Sequence, residues 1–247
     1  NLRFENDKDG DNAWRNRRDM VVRLIEQYTP DILGTQEGKW DQLMFLKERL
    51  PDYTLHLPGR APDKMSQCPT LFVRKDRFAI AGGRDLWLSK TPDVHLSKDW
   101  DSAFPRMLSI ARLVPSDDSS VNICAMVSHL DHVGSIARCH QAEIIASQVQ
   151  IRNEPVVLTG DFNDAPGSEV HRVLTSPETG LSDTWQLLEH EEDEESFTHH
   201  GFTGTAQACR MDWVLISRSF FTVKDACVVE EKEDGRDRTN HSRYSAD

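Results

Sequence analysis

The chain has 247 residues, 38% of them hydrophobic and 28% charged, which matches a soluble globular protein and excludes a disordered one. No apolar run approaches the ~20 residues that a membrane-spanning helix needs. A formal net charge of −12 excludes attraction of a polyanion by the protein as a whole, so a phosphate ligand must find local cations.

The first residue is Asn1 rather than methionine, and the strand-like Leu2 and Phe4 follow it directly. The true N-terminus is therefore expected upstream, where a targeting segment would not be visible. From Asp11 to Tyr28, apolar residues recur at helical spacing, with Asp11 or Asn12 available as N-cap and Pro30 just beyond the end. The run DILGTQE ends in a carboxylate, and helical spacing resumes from Trp40 to Leu50. Short β-like runs follow at Tyr53–Leu57, Thr70–Val73, Asp85–Leu88, Leu108–Val114 and Val121–Ser128. A long helix is predicted from Ser135 to Ile151, then the strand VVLTGDF, a short helix over Glu169–Leu174, and strands at Met211–Ser217 and Thr222–Glu230. No repeat or linker divides the chain, so residues 1–247 read as one domain.

The acidic run Glu189–Ser196 reads as an exposed loop, and the basic clusters at Arg15, Arg17, Arg18 and at Arg236, Arg238, Arg243 as solvated surface. Cys68, Cys124, Cys139, Cys209 and Cys227 are odd in number and widely spaced, which suits reduced core thiols better than a disulfide framework. No residue fixes the compartment, although a cytoplasmic one is favoured.

Polar clusters close three of the strand-like runs, at Glu37, at His129–His132 and at Asp161–Asp164, while Asp212 sits near the start of the apolar RMDWVLIS. A rigid sheet presents catalytic groups in this way, at the ends of apolar strands. Glu37, His129, Asp161, Asn163 and Asp212 together form an inventory able to bind a hard divalent cation and move a proton. Each has a plainer reading. Glu37 would cap the Trp40 helix, and Asp161 and Asn163 would make Asx turns beside Gly160. His129 and His132 have zinc-like spacing but no clear third ligand. Asp212, set among apolar residues, needs a buried partner.

Taken in order, NLRF at Asn1, TQE at Glu37, SHLDH at His129, GDFND at Asp161 and RMDWVLIS at Asp212 resemble the endonuclease/exonuclease/phosphatase (deoxyribonuclease I-like) superfamily across nearly the whole chain. The start NLRFENDKDGDNAWRNRRDMV, with LWLSKTPDV and DSAFPRM, is most similar to a bacterial-type branch whose substrates are poorly characterised. The resemblance implies a four-layer α/β sandwich with two mainly antiparallel sheets packed between helices. It also implies Mg²⁺ or Mn²⁺ held by Glu37 and Asp247, with Asn1 supporting the metal-phosphate site. Asp161 would position or deprotonate the attacking water, while Asn163, His129 and Arg106 would grip the phosphate. Asp212 would orient a histidine expected directly after Asp247, so the chain reads as clipped at both ends. His241 is a weaker stand-in. Val127 replaces an asparagine often present in relatives, which puts one polar contact of the site in question.

On this reading the protein is a monomeric, metal-dependent phosphoesterase that does not engage a membrane. Its partner would be a phosphorylated small molecule or a single-stranded nucleic acid: acidity argues against broad binding of duplex DNA, and no basic stripe interleaved with aromatics of the kind that grips single strands is present. The alternative is a catalytically degenerate domain that binds a phosphorylated ligand or a protein without turnover.

Overall fold

The computed structural model describes residues 1–60, 62–63, 66–203, 205, 207–231 and 242–243. They form four layers in the order helix, sheet, sheet, helix. Strands β1 (Ile32–Gly38), β2 (Tyr53–Leu55) and β3 (Cys68–Arg74) make a three-stranded sheet of order β1-β3-β2. Helices α1 (Trp14–Tyr28) and α2 (Trp40–Arg49) cover its outer face, where Val22, Ile25, Leu43 and Leu46 meet Tyr53 and Phe72.

The second sheet has six strands, β4 (Phe78–Trp87), β5 (Met107–Pro115), β6 (Ile123–His129), β7 (Val156–Asp161), β8 (Leu181–Asp183) and β9 (Asp212–Ser217). Their order is β4-β5-β6-β7-β9-β8, with every neighbouring pair antiparallel except β6 and β7. Parallel strands need a long crossover, and α3 (Ser135–Gln150) supplies it. Helix α3 and the short α4 (Glu169–Leu174) pack Ile145, Val149 and Leu174 against Met126, Leu158 and Leu215 on the outer face.

Between the sheets, Leu71 and Val73 of β3 meet Ala111, Leu113, Ala125 and Val127 of β5 and β6. Strand β6 thus alternates between two cores, Cys124 and Met126 outward and Ala125 and Val127 inward. That explains a run apolar at every position. The sheets approach closely enough at Gly34 that a Cβ there would collide with Thr159 Oγ1.

Several sequence-based expectations change. The opening segment is not a strand: Leu2 N donates to Gln36 O at 3.0 Å, but Arg3 then takes φ 52° and the ladder stops after one bond. Helix α1 begins at Trp14, behind a 3₁₀ turn over Asp7–Asn12, and neither Asp11 nor Asn12 caps it. Residues 222–229 are irregular, because alternation alone supplies no neighbouring ladder; only β10 (Glu230–Glu231) pairs, with β11 (Ser242–Arg243). The edge strand β4 starts seven residues earlier than its apolar end suggests, and β8 and α5 (Thr184–Leu187) carried no clear pattern.

Two surface assignments also change. Arg17 is buried, its guanidinium capping the carbonyls of Asn12, Leu2 and Arg3. Within the acidic run, Glu192 binds Arg210 at 2.5 Å, and Arg210 in turn holds the buried Asp183 at 2.8 Å. All five cysteines are free; burial pushes the Cys68 and Cys124 thiols up to about 11, whereas Cys227 is exposed rather than in the core. Among the described residues no helix is long and apolar enough to cross a membrane.

Candidate active site

Strands β6 and β7 end side by side, with His129 in register with Asp161. Their neighbours make this closeness possible: a Cβ on Gly160 would sit 2.5 Å from Ser128 O. His129 Nε2 lies 3.4 Å from Asp161 Oδ2, which also accepts from Asn1 Nδ2 at 3.2 Å. Asp161 Oδ1 accepts from the Asn163 amide at 3.0 Å. The Asx turn read from the sequence therefore exists. It places Asn163 at φ 50°, a left-handed conformation that asparagine tolerates, and Asn163 Nδ2 donates to Leu130 O at 2.9 Å.

From the other sheet, β1 is irregular between Thr35 and Gly38, and Glu37 takes φ 59°. Instead of capping α2, its buried carboxylate accepts from Phe4 N at 3.3 Å. Gln42 ties the same N-terminal segment to α2, accepting from Glu5 N and donating to Arg3 O. Non-glycine residues in the left-handed region cost energy that the surrounding structure must offset, and Glu37 and Asn163 flank one cleft.

That cleft has a volume of about 780 Å³ and brings together Glu37, Arg106, His129, Asp161 and Asn163. Asn1 reaches it through Asp161. Asp212 is half-buried on β9, in register with Asp161, and its amide donates to Thr198 Oγ1 at 3.2 Å. Asp247 and the alternative His241 lie outside the described residues. Val127 is wholly buried between the sheets.

Burial, and then the neighbouring charge of Asp212, raises the Asp161 carboxyl well above the usual range, against the pull of the Asn163 amide. Burial and the charge of Arg106 push His129 well below the ordinary histidine value, which favours the neutral imidazole. Burial also lowers the Arg106 guanidinium, opposed by Asp131 and Asp161. Arg106 shares a hydrogen bond of 3.1 Å with His132 Nδ1, while its buried Nε has no acceptor in hydrogen-bond range. A guanidinium on the wall of an otherwise acid-rich cleft suits an anionic ligand.

Sequence reasoning passed over Asp131. It is fully buried, accepts from Ser102 Oγ and the amides of Phe104, Val133 and Gly134, and stands 3.7 Å from Arg106 Nε. Burial drives its carboxyl up, but those backbone donors more than compensate and hold it at about 2. Its position just before Gly134 and α3 was the available signal. The cleft walls, Trp87, Leu96, Phe104 and His199 among them, come mostly from loops with no periodic pattern. Phe104 stacks on His132 with centroids 5.6 Å apart.

No group of three or more His, Cys, Asp or Glu side chains is placed to hold a metal among the described residues, so the zinc-like spacing of His129 and His132 gains no third ligand. The buried carboxylate of Glu37 is the kind of donor that suits Mg²⁺, which is commonly held by one or two carboxylates plus substrate phosphate.

A model of the Endonuclease/Exonuclease/phosphatase family matches residues 1–234. This chain belongs to that family. Its members are hydrolases acting on phosphoesters, generally with divalent metals. The fold is similar to an endonuclease/exonuclease/phosphatase family protein from Bacteroides thetaiotaomicron, with 29% identity and TM-score 0.78 over 89% of this chain and 81% of that one. A mannosyl-6-phosphatase from Bacteroides thetaiotaomicron VPI-5482 is 28% identical, with TM-score 0.75 over 89% of this chain and 84% of its own. Nocturnin of Mus musculus is 23% identical over 95% of this chain but only 56% of its own length, so the chain spans about half of that curated relative.

Proposed function

We propose that the protein hydrolyses a phosphoester with the help of Mg²⁺ or Mn²⁺, on a small phosphorylated molecule in preference to a single-stranded nucleic acid. The observation that carries this reading is the convergence of Glu37, Arg106, His129, Asp161 and Asn163 on one cleft from two sheets. Similarity to a mannosyl-6-phosphatase supports a small phosphomonoester, as does the net charge of −12, which disfavours a long polyanion.

In the proposed reaction, water oxygen bonds to phosphorus and the ester P–O bond breaks. One water proton passes to Asp161, and the departing oxygen takes one up from solvent. Asp161 suits the role because Asn163 N and Asn1 Nδ2 fix its two oxygens and burial raises its basicity. His129, neutral, donates a hydrogen bond to a phosphoryl oxygen without adding charge, and Arg106 supplies the cation. Glu37, and by resemblance Asp247, would hold the divalent ion, which when bound neutralises charge on the nonbridging oxygens. Asp212 keeps Asp161 basic through repulsion.

The test is phosphate release from sugar phosphates, nucleotides and short single strands, with Mg²⁺ and with EDTA. Metal-dependent turnover of a small ester is expected. Binding of these compounds with no release under any metal would replace this reading with the non-catalytic one.

A further inference from the structure

Arg106 and His129, two groups assigned to the phosphate, come from different parts of the chain, and one carboxylate joins the segments that carry them. Asp131 is fully buried two residues beyond His129, the last residue of β6. Its two oxygens serve different segments. Oδ1 accepts from Val133 N at 3.0 Å and Gly134 N at 2.8 Å, which fixes the turn from β6 into α3. Oδ2 accepts from Phe104 N at 3.0 Å and Ser102 Oγ at 3.2 Å and stands 3.7 Å from Arg106 Nε, so it holds the segment leading into β5.

Helix α3 locks this joint from behind. Gln141, also fully buried, accepts from Asp131 N at 2.9 Å and donates to Ser102 Oγ at 3.2 Å, and Arg138 Nη1 donates to Asp131 O at 3.0 Å. The backbone of Arg106 is fastened separately to the sheet, since Leu88 N donates to Arg106 O at 2.7 Å and Pro105 fixes a dihedral just ahead of it. What the carboxylate governs is the side chain. Nε is buried on the side of Asp131 and Nη2 is engaged with His132 Nδ1, which leaves Nη1 to meet a ligand in the cleft.

Resting on the phosphoester reading above, we infer that Asp131 is the positioning residue of the phosphate grip, setting the guanidinium of Arg106 against the imidazole of His129. It touches no substrate itself. Its charge and its geometry act on an anion in opposite directions. A negative group beside Arg106 weakens the pull on phosphate, whereas a guanidinium held in place binds without first losing rotamer freedom. The sign of the change on removing that charge therefore separates the two, and a carboxylate that only supported the fold would move the melting temperature and leave phosphate affinity alone.

Two measurements on Asp131→Asn decide it. In the first, orthophosphate is titrated against the chain, with EDTA and with Mg²⁺, and followed by phosphorus NMR. Affinity about tenfold weaker than wild type is expected, with no further loss when the same change is made in Arg106→Gln. Equal or tighter affinity, or a loss that persists in full without Arg106, overturns the assignment. The second needs no phosphate: the Nε–H proton of Arg106, identified by its disappearance in Arg106→Lys, is followed by proton–nitrogen NMR. Its exchange with solvent should be slow in wild type and about tenfold faster in Asp131→Asn; the same rate in both overturns the positioning role. If wild type binds no orthophosphate under either condition, the phosphoester reading fails, and the exchange rate still judges Asp131. Should Asp131→Asn not fold, Ser102→Ala, which takes one donor from Oδ2, carries both comparisons with smaller losses of the same sign.

Discussion

Asp161 and Asp212 face each other across the antiparallel pair β7 and β9, and the charge of the second helps to keep the carboxyl of the first above its ordinary range. A carboxyl raised in the folded state binds protons more tightly there than in the unfolded chain. Its ionisation therefore opposes folding, and that contribution grows as pH rises from the unfolded value toward the folded one. Asp161→Asn is expected to abolish phosphate release, by about 10²–10⁴-fold. At neutral pH the same variant should melt at or above the wild-type temperature, gaining about 2–4 °C per kcal/mol of relieved repulsion. Calorimetry beside a phosphate-release assay checks both; a lower melting temperature would contradict the electrostatic account.

Asp131 behaves in the opposite sense. Its carboxyl lies at about 2 against 3.8 in the reference state, so it contributes stability above 3.8 that is lost as pH falls through that interval. Urea titrations of Asp131→Asn at pH 6, 4 and 2.5 should show a flatter acid limb than wild type. Asp131→Ala should cost about 3–5 kcal/mol, because it leaves Arg106 buried beside a missing partner.

Arg210 joins Asp183, which also bonds His171 Nε2 at 3.1 Å, to Glu192 in the acidic loop. Arg210→Met strips the buried Asp183 of its cation and releases the loop. The expected cost is about 3–5 kcal/mol, together with faster cleavage by a Glu-specific protease between Glu189 and Glu195. Unchanged cleavage kinetics would show that Glu192 does not anchor the segment.

Gly34 tests the fit between the two sheets. Gly34→Ala should lose about 1–3 kcal/mol by overpacking against Thr159, and adding Thr159→Ala should recover part of it. A double-mutant cycle by urea denaturation measures the coupling, and additive losses would refute the contact.

The residues that line the candidate cleft were legible wherever an apolar strand ran directly into polar residues. Leu158 is fully buried and Asp161 stands at the end of the same strand, so GDFND reports both the core and its edge. His129 follows the same logic on β6. The interior strands were found because burial on one or both faces imposes a pattern. Strand β4 was half missed because it lies at the sheet edge, where residues 81–84 are exposed and no alternation is enforced. Arg17 looked like solvent-facing charge because the carbonyls that bury it arrive from residues 5 to 15 positions away. Glu37 was found, but not its left-handed backbone, which depends on a β1 irregularity that no short motif announces.

The order of the larger sheet has one more consequence. β6 and β7 are its two central strands, and the chain leaving them is still tied down, Leu130 N to Asp161 O and Phe162 N to Met211 O, each at 2.9 Å. Amides there should be among the slowest to exchange with deuterium, while those beside Leu96, Phe104 and His199 exchange sooner. If the proposed chemistry holds, labour is divided mechanically: the groups assigned to bond breaking are anchored in the stiffest masonry, and recognition falls to a pliable rim that can diversify without disturbing it.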